Sequence, residues 1–272
     1  MTGLYISLGV VAFLIAVYVF LIFPSGRRKK TEEFFAGQSK YAHRGLHGEG
    51  VPENSLAAFE LACKNGYGIE LDVHVTADDK LVVFHDDTLS RMCGVDEKTE
   101  SKTLAELQAL TLGGTGEHIP SFREVLDLVD GRVPLVVEIK GTSMKNMRVC
   151  ELTAEMLDGY AGKYCIEAFN PIFVAWWKKN RGHVVRGQLS NKMKKGDSGQ
   201  SPLVNFLLTN LMLSVLARPD FVAYCAGNRN QLSFRLSRAL GAYPVGWTIR
   251  TEKDIEDCKG AFKAIIFENV RP

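Results

Sequence analysis

Residues 68–86 of this 272-residue chain, GIELDVHVTADDKLVVFHD, contain the pattern from which its fold is predicted. It contains two apolar runs, IELDVHV and KLVVFHD, which are separated only by TADD. A parallel crossover needs a dozen or more residues, so we expect an antiparallel hairpin here. A turn centred on residues 77–78 would place Glu70 opposite His85, with Asp72 on the same face. The hairpin would then gather an imidazole and two carboxylates at one end.

From Lys40 onward, short apolar runs alternate with amphipathic helical patterns. Nine runs have the composition of buried strands: YAHR, GIELDV, LVVFHD, PLVVEIK, YCIEAF, HVVRGQL, DFVAYC, YPVGWTI and KAIIFE. Strands of this kind, alternating with helices, predict a parallel sheet with right-handed crossovers. Eight parallel strands close a (β/α)8 barrel, and the hairpin accounts for the ninth. The sequence therefore predicts an α/β fold, a (β/α)8 TIM-type barrel with a β-hairpin elaboration near strand 2.

Acidic side chains occupy neighbouring strands of this predicted barrel. Glu70 and Asp72 lie in the second strand, and Glu138 lies near the end of PLVVEIK. Working groups of parallel α/β barrels sit at the carboxyl ends of the strands, so the three carboxylates should meet at one mouth. They would repel one another without a cation, and oxygen ligands favour Mg²⁺ or Ca²⁺ over zinc. We therefore expect one divalent cation held by these three residues.

Imidazoles and basic side chains surround the same place. His43 and Arg44 end the first strand, His85 ends the return strand of the hairpin, and Lys140 ends PLVVEIK. Two histidines can take and give a proton near neutral pH. Arg44 and Lys140 supply positive charge and fixed donors for an anion such as phosphate. Metal, paired bases and phosphate contacts together indicate cleavage of a phosphate ester.

Taken in order, these motifs resemble the glycerophosphodiester phosphodiesterase family, in the form of a membrane-anchored bacterial-type member. The matching pieces are AHRG, PENS, ELDVHVTADDKLVVFHDDTLSR, IPSFREVLDLV, VVEIK and GWTIR. The resemblance implies metal-dependent hydrolysis of glycerophosphodiesters to an alcohol and glycerol 3-phosphate. It assigns catalysis to His43 and His85, metal binding to Glu70, Asp72 and Glu138, and phosphate contacts to Arg44 and Lys140. The tail IIFENVRP lacks the family's usual Thr-Asp, so Glu268 and Asn269 receive no role.

Several residues near these motifs have competing interpretations. His47 and His74 fit supporting or surface positions better than catalytic ones. Asn54 fits a helix N-cap better than a substrate contact. Trp247 and Phe169 follow strand ends, where they either wall the substrate's glycerol or belong to the barrel core. Of these two, Trp247 is the candidate substrate-binding residue.

The N-terminus carries a separate signal. LYISLGVVAFLIAVYVFLIF, residues 4–23, is uncharged and matches the ~30 Å hydrocarbon core of a bilayer at ~1.5 Å per residue. No basic residue precedes it and no Ala-x-Ala site follows, which favours a retained transmembrane helix over a cleaved signal peptide. The basic PSGRRKK that follows favours the cytoplasmic side. We expect a single-pass cell-membrane protein with an anchor at 1–23, a basic linker at 24–39 and a cytoplasmic barrel at 40–272.

The composition argues against two kinds of partner, nucleic acid and zinc. A formal net charge of +2 gives no basis for nucleic-acid binding, and the six cysteines lack the spacing of a zinc site. The segment 202–217, PLVNFLLTNLMLSVLA, is apolar on nearly every face. It is either a barrel helix or an interfacial helix with Lys192, Lys194 and Lys195 near anionic lipid headgroups.

Three functions stay open for this set of residues. The first is a phosphodiesterase acting on glycerophosphodiesters. The second is a lysophospholipase D, which would use the same site on membrane lysophospholipids with room for an acyl tail. The third is a non-catalytic barrel serving as a membrane scaffold, which would tolerate loss of a site residue, whereas none is missing here.

Overall fold

The computed structural model describes residues 2–141, 146–193 and 201–272, and all nine predicted strands are present in this part of the chain. They are β1 (Lys40–Ala42), β2 (Gly68–Val75), β3 (Leu81–Val83), β4 (Leu135–Ile139), β5 (Tyr164–Ala168), β6 (Arg186–Ser190), β7 (Phe221–Cys225), β8 (Tyr243–Ile249) and β9 (Ala264–Phe267). Eight of them, β1, β2 and β4 to β9, are parallel, and pairing of β1 with both β2 and β9 closes the barrel. Strand β3 is antiparallel to the end of β2. The predicted TIM-type barrel with its hairpin is confirmed.

The register of the hairpin differs by one residue from the predicted one. The pairs between β2 and β3 centre the turn on Asp78. Lys80 belongs to the turn, because its N–H donates to Thr76 Oγ1 and its carbonyl accepts from the Thr76 N–H. The prediction that Glu70 faces His85 across the hairpin is therefore wrong. A one-residue slip exchanges the two faces of a strand, and the alternating pattern alone did not fix the length of the turn.

Helices surround the barrel on the outside. Those described are α1 (Thr2–Ile22), α2 (Arg28–Phe35), α3 (Leu56–Lys64), α4 (Ser90–Cys93), α5 (Leu104–Gln108), α6 (Phe122–Val129), α7 (Arg148–Asp158), α8 (Pro171–Asn180), α9 (Pro202–Thr209), α10 (Ser214–Ala217), α11 (Leu232–Ala239) and α12 (Glu252–Asp257). The apolar faces of helices such as α3, α6 and α8 cover the outer surface of the sheet, where Phe59, Phe122 and Trp177 are fully buried. The strands are thus covered on both sides, as their continuous apolar runs predicted.

The interior of the barrel is filled with side chains. Tyr41, Phe221 and Tyr243 belong to one buried cluster there. The ring of Phe221 lies so close to the β6 backbone that a Cβ at Gly187 would be 2.1 Å from it. Glycine at 187 therefore makes room for the aromatic ring, and the interior is a packed core as expected for this barrel.

The interval 24–39, predicted to be a basic linker, contains the short helix α2. Its last residue, Phe35, is buried and stacks on Tyr243 at 4.7 Å between ring centroids. Just before α2, Arg27 pairs with Asp220, whose side chain is only 1% exposed. These contacts fix the segment against the amino-terminal end of the barrel. The boundaries 1–23, 24–39 and 40–272 stay predictions, but the middle interval is not a free linker.

Helix α1 is long and apolar enough to cross a bilayer by length and composition, and most of it is exposed. Its last turn packs on the barrel, where Ile22 is fully buried. Arg218 Nη1 donates to the carbonyls of Phe20 at 2.7 Å and Phe23 at 2.9 Å. Tyr18 Oη donates to the carbonyl of Asn210 at 3.2 Å. These contacts fix the end of α1 against the barrel.

The apolar segment 202–217 forms two helices, α9 and α10, rather than one. Leu211, between them, has a φ of +55° and a buried side chain. The prediction of one helix is wrong because the chain turns there. Of the lysines expected near lipid headgroups, Lys192 is exposed, while Lys194 and Lys195 lie outside the described residues.

Candidate active site

Three buried carboxylates meet at the carboxyl end of the barrel. Glu70 and Asp72 are two residues apart in β2 and share a face, and Asp72 pairs in register with Glu138 of β4. Each offers one oxygen such that the three oxygens lie within 4.8 Å of one another. Parallel neighbours in register point to the same face, so the strand pairing itself creates this cluster. The structure brings together the three residues predicted to hold a metal.

The negative charges of the three carboxylates in this cluster repel one another. Burial raises the pKa of Glu70 well above its usual value, and repulsion from Asp72 and Glu138 adds to this effect. Burial likewise raises the pKa of Glu138. A cation among the three groups would remove this competition for protons. An all-oxygen set of three carboxylates fits Mg²⁺ or Ca²⁺.

Basic groups contact the same carboxylates. Lys140 Nζ lies 2.7 Å from an oxygen of Glu138 and 3.1 Å from Asp72 Oδ1. Burial raises the pKa of Asp72, but Lys140, His85 and Arg44 outweigh it and hold that pKa below its usual range. Asp72 is therefore the ionised centre of the cluster. Lys140 neutralises both neighbouring acids, a wider role than the pairing with Glu138 alone.

The sequence HRG at 43–45 makes a tight turn at the mouth. Arg44 has a φ of +55° and Gly45 a φ of +80°. A Cβ at Gly45 would lie 2.8 Å from Ala58 Cβ, so glycine permits close packing on α3. The turn directs the Arg44 N–H to Glu70 Oε2 at 2.9 Å and its Nη1 to Glu53 at 2.7 Å. This explains why a permissive backbone accompanies the histidine and arginine.

His43 is held by a carboxylate that the sequence argument left without a role. His43 Nδ1 is hydrogen-bonded to Glu268 Oε2, and Arg250 Nε donates to Glu268 Oε1 at 2.6 Å. Burial lowers the pKa of His43, and the bond to Glu268 opposes that effect. The structure places Glu268, to which the sequence argument gave no role, in contact with His43 and Arg250. Because β9 pairs with β1 in a closed barrel, the residue after β9 must neighbour His43, the residue after β1.

His85 has an equivalent partner. Its Nδ1 lies 2.6 Å from Asp86 Oδ1, and Arg91 Nε donates to Asp86 Oδ2 at 2.6 Å. Burial raises the pKa of Asp86, but its bonds to His85 and Arg91 outweigh burial and hold that pKa below its usual range. Both candidate catalytic histidines thus have Nδ1 occupied by a carboxylate, and that carboxylate is held by an arginine.

Supporting residues surround this arrangement. Asn54 is buried and its Nδ2 donates to Asp72 Oδ2 at 2.9 Å. The prediction that Asn54 caps α3 is wrong, because Ser55 Oγ accepts from the helix backbone instead. His47 Nε2 lies 3.7 Å from Glu268, and His74 Nε2 lies 3.3 Å from the His85 carbonyl oxygen. The expectation that these two histidines take supporting or surface positions stays a prediction.

Aromatic side chains lie at the mouth, on the β5 and β8 side. Trp247 and Phe169 form an edge-to-face pair with centroids 5.5 Å apart. Both are partly exposed and pack on the barrel-interior cluster. They therefore sit on top of the core, where either predicted role is possible. Glu167 of β5, which neighbours Glu138 in register, is a buried carboxyl that the sequence argument did not consider.

Comparisons with known proteins agree with this geometry. A glycerophosphodiester phosphodiesterase from Caldanaerobacter subterraneus is 35% identical over 158 residues, 54% of this chain and 65% of the relative. Human lysophospholipase D GDPD1 is 30% identical over 141 residues, 47% of this chain and 44% of the relative. The chain spans about half the length of the curated relatives it matches.

Solved structures show the same fold. The structure of an Oleispira antarctica phosphodiesterase in complex with the product sn-glycerol-3-phosphate matches with a TM-score of 0.70 and 23% identity. The match covers 85% of this chain and 92% of that one. The model of the glycerophosphoryl diester phosphodiesterase family matches residues 43–270, which include every candidate residue of the mouth. The chain belongs to the glycerophosphoryl diester phosphodiesterase family.

Proposed function

We propose that this protein is a membrane-anchored, metal-dependent phosphodiesterase that hydrolyses glycerophosphodiesters to an alcohol and glycerol 3-phosphate. One observation carries the proposal. Two histidines, each with Nδ1 bonded to a carboxylate, lie at the mouth that also holds three buried acids with oxygens within 4.8 Å. A binding scaffold has no need for two imidazoles held in this way, whereas acid–base catalysis needs both.

The cation would be held by Glu70, Asp72 and Glu138. When bound, a divalent cation supplies Lewis-acid polarisation of a phosphate oxygen. Arg44 and Lys140 add fixed positive charge beside the same carboxylates and would orient the phosphate. Trp247 would contact the glycerol portion of the substrate.

The two histidines would exchange protons with the substrate through Nε2, since Nδ1 of each is occupied. We assign His43 as the base, which takes a proton from water or from the substrate's own glycerol 2-hydroxyl. The oxygen of that nucleophile bonds to phosphorus as the bond to the head-group oxygen breaks. Attack by water gives glycerol 3-phosphate directly, whereas attack by the 2-hydroxyl gives a cyclic phosphate, and a water then breaks its bond between phosphorus and the 2-oxygen. His85 then donates a proton to the departing alkoxide. Glu268 and Asp86 stabilise the imidazolium that forms or is present at each position.

The test is release of choline and glycerol 3-phosphate from glycerophosphocholine by the full chain in lipid nanodiscs. We expect activity that is lost with a chelator and restored by Mg²⁺ or Ca²⁺. Asp72→Asn should abolish activity, and Asp127→Asn, an exposed matched control on α6, should not. Absence of product with either metal would overturn the proposal.

The anchor is part of the same proposal, with α1 spanning the cell membrane and the barrel on the cytoplasmic side. Arg28, Lys29 and Lys30 are exposed at the end of the span, while Arg27 is used in the pair with Asp220. Cationic residues next to a span favour the cytoplasmic side. Protease added to spheroplasts should leave the barrel intact, and digestion from outside would refute this orientation.

A lysophospholipase D activity is the second candidate. The observation that favours it is the set of exposed apolar side chains on α9, such as Leu203 at 66% and Phe206 at 56% exposure. An acyl chain attached to the substrate's glycerol would need such a surface. The phosphoester bond broken and the residues used would be the same.

A further inference from the structure

Four large apolar side chains form an exposed set that we name the apolar rim: Ile172, Leu203, Phe206 and Leu232. Their exposed fractions run from 38% to 66%. They lie in the first five residues of α8, α9 and α11, the helices that follow β5, β6 and β7. A helix that follows a barrel strand starts at the carboxyl end of that strand. The apolar rim therefore lies at the same end of the barrel as the candidate active site, on one arc of the mouth.

The concentration of these side chains is specific to that arc. Outside α1 and Phe23, the part of the chain that the structure describes exposes five large hydrophobic side chains, and four of them form the apolar rim. The fifth, Leu216, lies on α10 near the opposite end of the barrel. Large exposed apolar side chains gathered on one arc indicate an interaction site, whereas scattered ones are ordinary surface.

The direction of α1 identifies what covers the apolar rim. Ser190, at the carboxyl end of β6, donates from Oγ to the Leu208 carbonyl at 2.9 Å, and Arg218 lies just before the start of β7, so Asn210 lies nearer the mouth than Arg218. Arg218 contacts the carbonyls of Phe20 and Phe23, and Asn210 contacts Tyr18. Followed from its end back towards its start, α1 therefore runs towards the mouth. Its remaining residues, 2–17, extend about 24 Å further in that direction, at 1.5 Å per residue.

We propose that the apolar rim inserts into the surface of the bilayer that α1 spans, so that the mouth of the barrel faces the lipid. This inference rests on the anchoring proposed above. The side chains of Phe13 and Val17 on α1 are exposed, and the hydrogen bond from Tyr18 to Asn210 places the following turn of α1 at the end of α9. Interfacial segments of this kind bury their apolar face roughly 5–10 Å into the boundary between headgroups and acyl chains.

The position of the mouth determines where the substrate comes from. A mouth held at the lipid surface takes its diester from the bilayer, where a lysophospholipid keeps its acyl chain in the membrane while its phosphate enters the barrel. The head-group alcohol leaves into water and the acylated glycerol phosphate stays in the membrane. A soluble glycerophosphodiester would reach the same site without using the apolar rim.

Insertion is tested directly with the full chain in nanodiscs of phosphatidylcholine and phosphatidylglycerol, with or without bromine on the acyl chains. Bromine quenches nearby tryptophan, and wild-type protein gives the background of its own tryptophans. Emission added by Phe206→Trp should fall by about half or more in brominated nanodiscs, and emission added by Leu216→Trp should not. Equal emission of Phe206→Trp in both lipids overturns the inference, as does a dimer in which a second copy covers the apolar rim.

Substrate source is tested with Leu203→Glu combined with Phe206→Glu, and with Leu216→Glu as the matched control. Choline release is measured from lysophosphatidylcholine in nanodiscs and from soluble glycerophosphocholine. We expect the double variant to lose about tenfold on the lipid only, and the control to lose nothing. Equal wild-type and double-variant rates on the lipid overturn the role of the apolar rim. Wild-type inactivity on both substrates would refute the proposed activity, and the quenching result would still decide insertion.

Discussion

Replacing Glu268 by glutamine tests whether His43 acts as the general base or as the general acid. The carboxylate bonds to His43 Nδ1, and its side chain is only 12% exposed, so solvent screens the contact weakly. A hydrogen bond between charged groups contributes about 1.5–3 kcal/mol, more than a neutral one. If that contribution is made mainly when His43 becomes imidazolium, Glu268→Gln should lower kcat by about 10- to 100-fold with little change in KM.

The pH profile of kcat/KM shows which of the two roles His43 has. Burial lowers the pKa of His43 and the bond to Glu268 raises it, so loss of the carboxylate lowers that pKa further. A base works in its neutral form. The acid limb of kcat/KM should therefore move to lower pH if His43 is the base, and the alkaline limb should move to lower pH if it is the acid.

The assay is choline release from glycerophosphocholine across the pH range, with Glu256→Gln on exposed α12 as the matched control. A role that is only structural would change the melting temperature and leave both limbs in place. If Glu268→Gln loses less than about threefold in kcat and neither limb moves, the reasoning about the held imidazole is refuted.

Three further results are expected. His43→Ala and His85→Ala should each lose about 10²- to 10⁴-fold in kcat, and near-normal turnover of either would remove that residue from the mechanism. Burial raises the pKa of Glu53, but its contacts with Arg91 and Arg44 outweigh burial and lower that pKa, so its contribution to stability is complete above the unfolded value of 4.5 and is lost as the pH falls through the lower folded value. In urea unfolding, wild type should lose more stability than Glu53→Gln on acidification, and parallel losses would contradict this. Arg27→Met should cost about 1–3 kcal/mol by leaving buried Asp220 with weaker partners, measured by urea unfolding, and an unchanged midpoint would show that the pair contributes nothing.

Local patterns in the sequence were sufficient for the barrel. Each apolar run, such as PLVVEIK, lies within a single strand, and these runs identified all nine strands of the described chain. The two-residue period also predicted that Glu70 and Asp72 share a face. The two-residue period of apolar side chains does not determine the length of the turn after β2. The predicted register of His85 was wrong for this reason.

Contacts between distant segments could not be read in the same way. The break at Leu211 divides a segment whose composition fits one continuous helix. Phe35 sits in a segment that is basic and polar by composition, yet it stacks on Tyr243 against the barrel end. In both cases packing against the barrel decides the conformation, and propensity along the chain does not.

The fold class, and the meeting of three carboxylates and two histidines at one mouth, followed from local patterns. They depend on the two-residue period within a strand and on the rule that the carboxyl ends of barrel strands carry the working groups. The contacts of these groups depend on the tertiary structure: Glu268 bonds to His43, Asn54 bonds to Asp72, and Arg218 bonds to the end of α1. Closure of the barrel joins its first strand to its last, 225 residues from His43 to Glu268 along the chain, and no local pattern carries that distance.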